Sequence, residues 1–339
     1  MFTKVLAAGT LLGLSGSALA QNLHAAFAQP SLDRWMYPFN QTPGRETLAP
    51  SFGAILQTGF DDRDAQFIVG FNSGGQVPAG LGAASYHLVS ARLTVVVMND
   101  LQVRYDESWD SVTSLYDVGD PQYVADTDAG RPIEVFAAGY RNGQSLAGFI
   151  ETSPFGGAPI NSPAEGARNV FAATIDENGV ATDVSRQVRL RFDAMPLAIG
   201  TTTDVAPGDL IPAGTVITFD LLACNAEVGR HFASSLNAGK INLVVTSLEP
   251  ASGGPGGGTG DPTYPVFSTK EGTPGYTATL TLDVRVGEAA DFDGDGTVDF
   301  FDYDAFVAAF EAGDPSADFD QDCTVDFFDY DAFVVEFIG

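Results

Sequence analysis

Carboxylates recur at fixed intervals near the C-terminal end of this 339-residue sequence. Asp291, Asp293, Asp295, Asp299 and Asp302 occupy positions 1, 3, 5, 9 and 12 of a twelve-residue stretch, 291–302. Thr297 at position 7 can add a backbone carbonyl, and Gly296 at position 6 suits a sharp turn. Hard cations such as Ca²⁺ take about six to eight oxygen ligands at flexible geometry, and this is the EF-hand spacing that supplies them. Twenty-seven residues later the pattern returns over 318–329, with Asp318, Asp320, Asp322, Thr324, Asp326 and Asp329 in the equivalent places. Residues 297–307 and 324–334 are identical. A lone acidic stretch reads as a solvated tail. A duplicated one, each copy followed by an apolar helical period, reads as two Ca²⁺ sites. Position 6 of the second loop is Cys323. A left-handed backbone there costs a non-glycine residue about 1 kcal/mol, so the second site is expected to be the weaker.

Five carboxylates in twelve residues repel one another, so this segment should fold only around its ion. Phe301, Ala305, Phe306 and Phe310, with Phe328, Ala332, Phe333 and Phe337, predict two short helices packed face to face. Val298 and Val325, at position 8, are expected to join the loops by a short backbone bridge. Phe301 and Phe328 are expected inside. Phe300 and Phe327 are then left near the surface as a receptor-binding pair rimmed by Asp304 and Asp331. Neither residues 286–290 nor residues 311–317, which contain Gly313 and Pro315, can supply an entering helix.

Loop then helix, twice, with Asp rather than Glu at position 12, resembles the type I dockerin module over about residues 290–339. That resemblance implies a calcium-folded docking domain, residues 287–339, that plugs into a cohesin-like or other surface receptor protein. The family commonly has a Ser/Thr pair at positions 10 and 11. Here Phe300-Phe301 and Phe327-Phe328 stand there, so a standard cellulosomal cohesin is not the expected partner.

A basic start at Met1 to Lys4, an apolar run over 5–14 and the small residues Ala18-Leu19-Ala20 read as a signal peptide, residues 1–20. The expectation is a secreted protein, extracellular or attached to a cell surface. No later stretch reaches the roughly eighteen apolar residues of a membrane span. The net charge is −28, with sixteen acids and no Lys or Arg from Gly287 onward. Nucleic acid and anionic membranes are poor partners for such a chain. Cys224 and Cys323 form no disulfide framework, and two separate thiols are the favoured reading, since a bond needs the tail to fold back on the main domain.

Residues 21–286 read as mainly β. Strand-like runs recur at 66–71, 92–98, 133–137, 170–175, 188–192, 215–222, 241–247 and 277–286 between Gly- and Pro-rich turns. In the last run Leu280, Leu282, Val284 and Val286 alternate with Thr279, Thr281, Asp283 and Arg285, the grammar of a half-buried antiparallel strand. The expected architecture is a β-sandwich or jelly roll, with 252–260 as a Gly-rich loop and a small α-helical module after it. The apolar grammar of 66–71, Val77-Pro78 and 90–95 has a weaker resemblance to disaggregatase-like jelly-roll modules, some of which bind carbohydrate.

No catalytic constellation stands out. His24, His87 and His231 are the only histidines, and no nucleophile elbow, zincin, P-loop or Cys-x-x-Cys pattern occurs. Asp61, Asp62 and Asp64 around Arg63, and Glu107 with Asp110 around Trp109, read as solvated loop charges rather than a glycosidase pair. Trp109 in its polar setting either folds back to cover an edge of the sandwich, the favoured reading, or forms with Tyr116 a candidate glycan platform, because sugar C–H faces stack on exposed rings. The function expected from these readings is a calcium-binding tail anchoring a non-enzymatic β domain. The alternatives are a polysaccharide hydrolase with the same tail and a carbohydrate-binding module in polysaccharide degradation.

Overall fold

A computed structural model describes residues 21–156, 165–251 and 263–339. The expected signal peptide and the Gly-rich loop at 252–260 lie outside the described residues. The chain is mainly β. In order it forms β1 (Gln21–Phe27), β2 (Leu32–Met36), β3 (Leu48–Pro50), β4 (Phe52–Gly53), β5 (Arg63–Asn72), β6 (Tyr86–Val96) and β7 (Ile133–Tyr140). Then come β8 (Val170–Ile175), β9 (Ala181–Asp183), helix α1 (Gln187–Leu190), β10 (Ala198–Ile199) and β11 (Val216–Leu222). Helix α2 (Ala226–Asn237), β12 (Lys240–Ser247), β13 (Val266–Ser268), β14 (Thr279–Val286), α3 (Phe300–Ala312) and α4 (Phe327–Ile338) complete it.

The named strand pairs are all antiparallel. A four-stranded sheet runs β1-β14-β6-β11, and an eight-stranded sheet runs β2-β5-β12-β7-β8-β9 with β10 and β4 attached. Leu93, Phe219, Leu280 and Leu282 of the first share one apolar cluster with Phe67, Val69, Val135 and Leu243 of the second. On the other face of the larger sheet, Ile68, Phe136, Val170 and Val244 join Phe149 and Phe155 in a second cluster. A sheet covered on both faces explains why its strands read as unbroken apolar runs rather than alternating ones.

The run at 188–192 is not a strand. Residues 187–190 form α1, which Arg191 closes at φ +57°, so the alternation V-R-L-R-F belongs to a helical turn. The acids around Arg63 are not solvated either. Asp61, Asp62, Arg63 and Asp64 are all buried. Arg63 pairs with Glu134 at 2.5 Å, Asp61 with Arg168 at 2.8 Å and Asp62 with Arg189 at 3.0 Å, which ties the start of β5 to distant parts of the chain. Desolvation pushes the Asp64 carboxyl up to about 6 even though Arg168 draws it down. A folded value above the unfolded one contributes stability at acidic pH that is lost as pH rises to about 6. Asp64→Asn should therefore gain stability relative to the parent between pH 4 and pH 7, on the order of 1–3 kcal/mol, in thermal melts at each pH. A stability difference that does not change with pH would show that Asp64 is charged in the fold throughout.

Candidate metal centre

The residues after β14 enter the first acidic loop through a turn, without a helix. The Gly287 amide donates to the Ser85 carbonyl at 2.9 Å, and the Asp291 amide to that of Glu288 at 3.2 Å. Asp299 then caps α3, accepting from the Phe301 amide at 2.8 Å, while Asp302 accepts from the Asp299 amide at 2.8 Å. This capping box explains why the helix starts where it does. Asp302 is fully buried, and its second oxygen accepts from the Asp293 amide at 3.0 Å. Carboxylate oxygens of Asp291, Asp293 and Asp302 thereby come within 4.8 Å of one another. Asp295 and Asp299 stand outside that group. Asp295 accepts from the Thr297 amide, and Asp299 serves the helix cap.

The second loop repeats the frame with a different grouping. Asp326 caps α4, and the fully buried Asp329 accepts from the amides of Phe319, Asp320 and Asp326. Here Asp318, Asp320 and Asp322 are the carboxylates within 4.8 Å of one another. Thr324 donates its amide to Asp322 at 2.8 Å. Cys323 has φ +73°, against +94° for Gly296, so the side chain sits in the left-handed backbone anticipated for position 6.

The donor set fits a hard divalent ion. All the candidate ligands are oxygens, and among the described residues none of these aspartates is in a salt bridge. Burial first, and then neighbouring carboxylates, raise Asp291, Asp293, Asp318 and Asp320 above the ordinary carboxylate range. Asp291 and Asp302 are buried while Asp293, Asp320 and Asp322 are exposed, and a cation among the clustered carboxylates would offset their mutual repulsion. Arg285 is a cation beside the first loop. It lies on the face of β14 read as solvent-exposed, yet it is 8% exposed because the tail covers it. Its guanidinium sits over the Phe292 ring at 4.7 Å, and burial lowers it to about 10 against the pull of Asp291 and Asp302.

The helices meet through Phe306, Phe310, Phe333 and Phe337 of the expected stripe. Phe306 and Phe333 stack at 4.1 Å, and the Tyr303 and Tyr330 hydroxyls bond at 2.7 Å. Phe301 and Phe328 are not inside: Phe300, Phe301, Phe327 and Phe328 are all 66–69% exposed. Asp302, one residue on from Phe301, takes the inner place instead, and a one-residue step turns a helix by about 100°. Among the described residues no backbone hydrogen bond joins Val298 to Val325, so the expected bridge between the loops is absent.

Two further expectations are corrected. Cys224 and Cys323 are not separate thiols but a disulfide, which links the turn before α2 to the second acidic loop. The tail does fold back, and a cavity of about 140 Å³ lined by His87, Cys224, Arg285, Pro315 and Asp318 separates it from the sheet. Tyr116 offers no platform. It is 8% exposed, in a cluster with Val112, Val188 and Leu248, and Arg191 lies 4.5 Å over its ring. Trp109 is half-buried, its indole N–H donating to the Ala194 carbonyl at 3.4 Å. The sequence matches no protein-family model and no curated protein. Among the described residues no helix is long and apolar enough to cross a membrane.

Proposed function

We propose that this is a secreted β-sandwich protein whose C-terminal dockerin-like module binds two Ca²⁺ ions and anchors the β domain to an extracellular or cell-surface receptor. The observation that carries the reading is the repeated acidic loop. Each copy gathers three carboxylates, buries the aspartate at position 12 and starts a helix from the aspartate at position 9. In loop 1, Asp291, Asp293 and Asp302 would hold the ion. In loop 2, Asp318, Asp320 and Asp322 would do so, with Asp329 fixing the loop backbone. The ion supplies positive charge that lets the loops close; the chain supplies the surface.

That surface is aromatic. Phe300 lies on Tyr303 and Phe327 on Tyr330, with ring centroids 6.2 and 6.1 Å apart, so each exposed ring is held by the one beneath it. Four exposed phenylalanines on a module without Lys or Arg favour a partner with apolar pockets and a basic rim. Full-length protein should bind the receptor-bearing surface in Ca²⁺ and release in chelator. The doubly substituted F300S/F327S should lose attachment by at least about tenfold with an unchanged melting temperature, as hot-spot aromatics do. Attachment that survives both the chelator and the substitutions would exclude this route.

A further inference from the structure

A different acidic cluster lies in the loops that follow β6, far along the chain from the tail. Asp106 is 5% exposed. Its Oδ1 accepts from the amide of Ser108 at 2.8 Å, and the Ser108 hydroxyl lies 2.9 Å from both Asp106 and Asp128. The other oxygen, Oδ2, is buried with no hydrogen-bond partner, in a carboxylate whose neighbours are Asp110 and Asp128. Carboxylate oxygens of Asp106, Asp110 and Asp128 lie within 4.8 Å of one another.

Arg131 is the cation at this cluster, and it is already engaged. One nitrogen donates to Asp110 at 2.7 Å, to Asp126 at 2.9 Å and to the Ser114 hydroxyl at 2.9 Å. It makes no ion pair with Asp106 or Asp128. A buried carboxylate oxygen with neither donor nor counter-ion is costly, unlike the acids of the solvated surface. The cluster of Asp33, Glu151 and Glu271 makes the contrast, since there the Lys270 ammonium is within ion-pair distance of all three acids. Gly130 adds a fitting detail. At φ +122°, a Cβ there would come 3.1 Å from Asp106 Cβ and 3.2 Å from the Arg104 carbonyl, so glycine lets the segment carrying Asp128 close over Asp106.

We propose that Asp106, Asp110 and Asp128 form a third cation site, in the β domain, that takes Ca²⁺ and completes its shell with water. Oxygen-only donors exclude a preference for Zn²⁺, and the exposed Asp128 leaves a side open to solvent. Three carboxylates with the rest of the shell left to water suit a dissociation constant on the order of 10⁻⁴–10⁻³ M, the range of extracellular calcium modules. The site stands on its own residues and does not depend on the reading of the tail.

Terbium, which replaces Ca²⁺ at oxygen sites and emits when a nearby ring transfers energy to it, separates the two. The chain has Trp35 and Trp109 and no tryptophan in the tail, while Trp109 adjoins Asp110. Full-length protein excited where only tryptophan absorbs should show saturable terbium emission that Ca²⁺ displaces. Trp109→Phe should abolish that emission, and Asp106→Asn and Asp128→Asn should each weaken binding at least about tenfold, the loss of one charged ligand from a small set. Asp128→Asn acts at an exposed residue, so it decides the matter if Asp106→Asn fails to fold. Absent emission, or emission unchanged in Asp128→Asn, overturns the third site, whatever tyrosine-sensitised emission from the tail shows.

Discussion

Replacing Asp302 and Asp329 together by Ala should melt α3 and α4 and leave the two large sheets folded. Both carboxylates are fully buried, and between them they hold the backbone amides of Asp293, Asp299, Phe319, Asp320 and Asp326. Hydrogen bonds to a charged group contribute about 1.5–3 kcal/mol each, so losing two or three per loop removes several kcal/mol from a module with a small core. Chelation should act in the same direction, because the remaining carboxylates then face one another without a cation. Far-ultraviolet circular dichroism reads the helices, and amide exchange of β5 and β12 reads the sheets. Unchanged helicity in both the variant and the chelated protein would refute the claim.

Cutting the Cys224–Cys323 bond should turn one unfolding transition into two. The bridge closes a loop across 99 residues and is the only covalent tie between the acidic loops and the β domain besides the chain itself. A closed loop of that size constrains the unfolded chain by about 4–5 kcal/mol in the entropic account, and measured losses run at about 2–4 kcal/mol. Calorimetry of Cys224→Ser should show the tail melting first and the sheets near their original temperature. Cys323→Gly alone is ambiguous, since it cuts the bridge while relieving the left-handed backbone at φ +73°. In the Cys224→Ser background, with the bridge already gone, Cys323→Gly should strengthen the second loop's ion by up to about tenfold, equivalent to ~1 kcal/mol. A single transition in Cys224→Ser would mean that noncovalent contacts such as Arg285 on Phe292 already hold the tail.

What could be read from the chain follows from how local each interaction is. The acidic loops, their capping aspartates and the absence of entering helices are all contained in twelve to twenty residues, and the strands at β8, β12 and β14 carry their own apolar patterns. Helix α2 was missed although Val228, Phe232 and Leu236 recur at i, i+4 and i+8, because the polar His231 and Ser235 share that buried face and thin its apolar pattern. The acids at 61–64 looked solvated because their partners Arg168 and Arg189 lie 107 and 127 residues away. Arg285 was placed on an outer face by strand alternation, and only the returning tail buries it. In the aromatic stripe Phe306, Phe310, Phe333 and Phe337 pack inside as their spacing predicts, and only Phe301 and Phe328 fall outside, because the caps at Asp299 and Asp326 give the inner place in the first turn to Asp302 and Asp329.

The strand order of the smaller sheet has a kinetic consequence. Its first strand pairs with its last, Gln21 opposite Val286, and that last strand also separates β1 from β6. Contacts such as His24 with Asp283 span 259 residues. While the chain is being made, β1 and one edge of β6 have no partner, and neither can pair until nearly the whole domain has emerged. High contact order of this kind slows folding and prolongs the exposure of open strand edges to other chains. The domain should therefore collapse late and cooperatively, after synthesis rather than during it. Because Cys323 follows the strand that closes the sheet, the staple can form only after every strand of both large sheets has been synthesised.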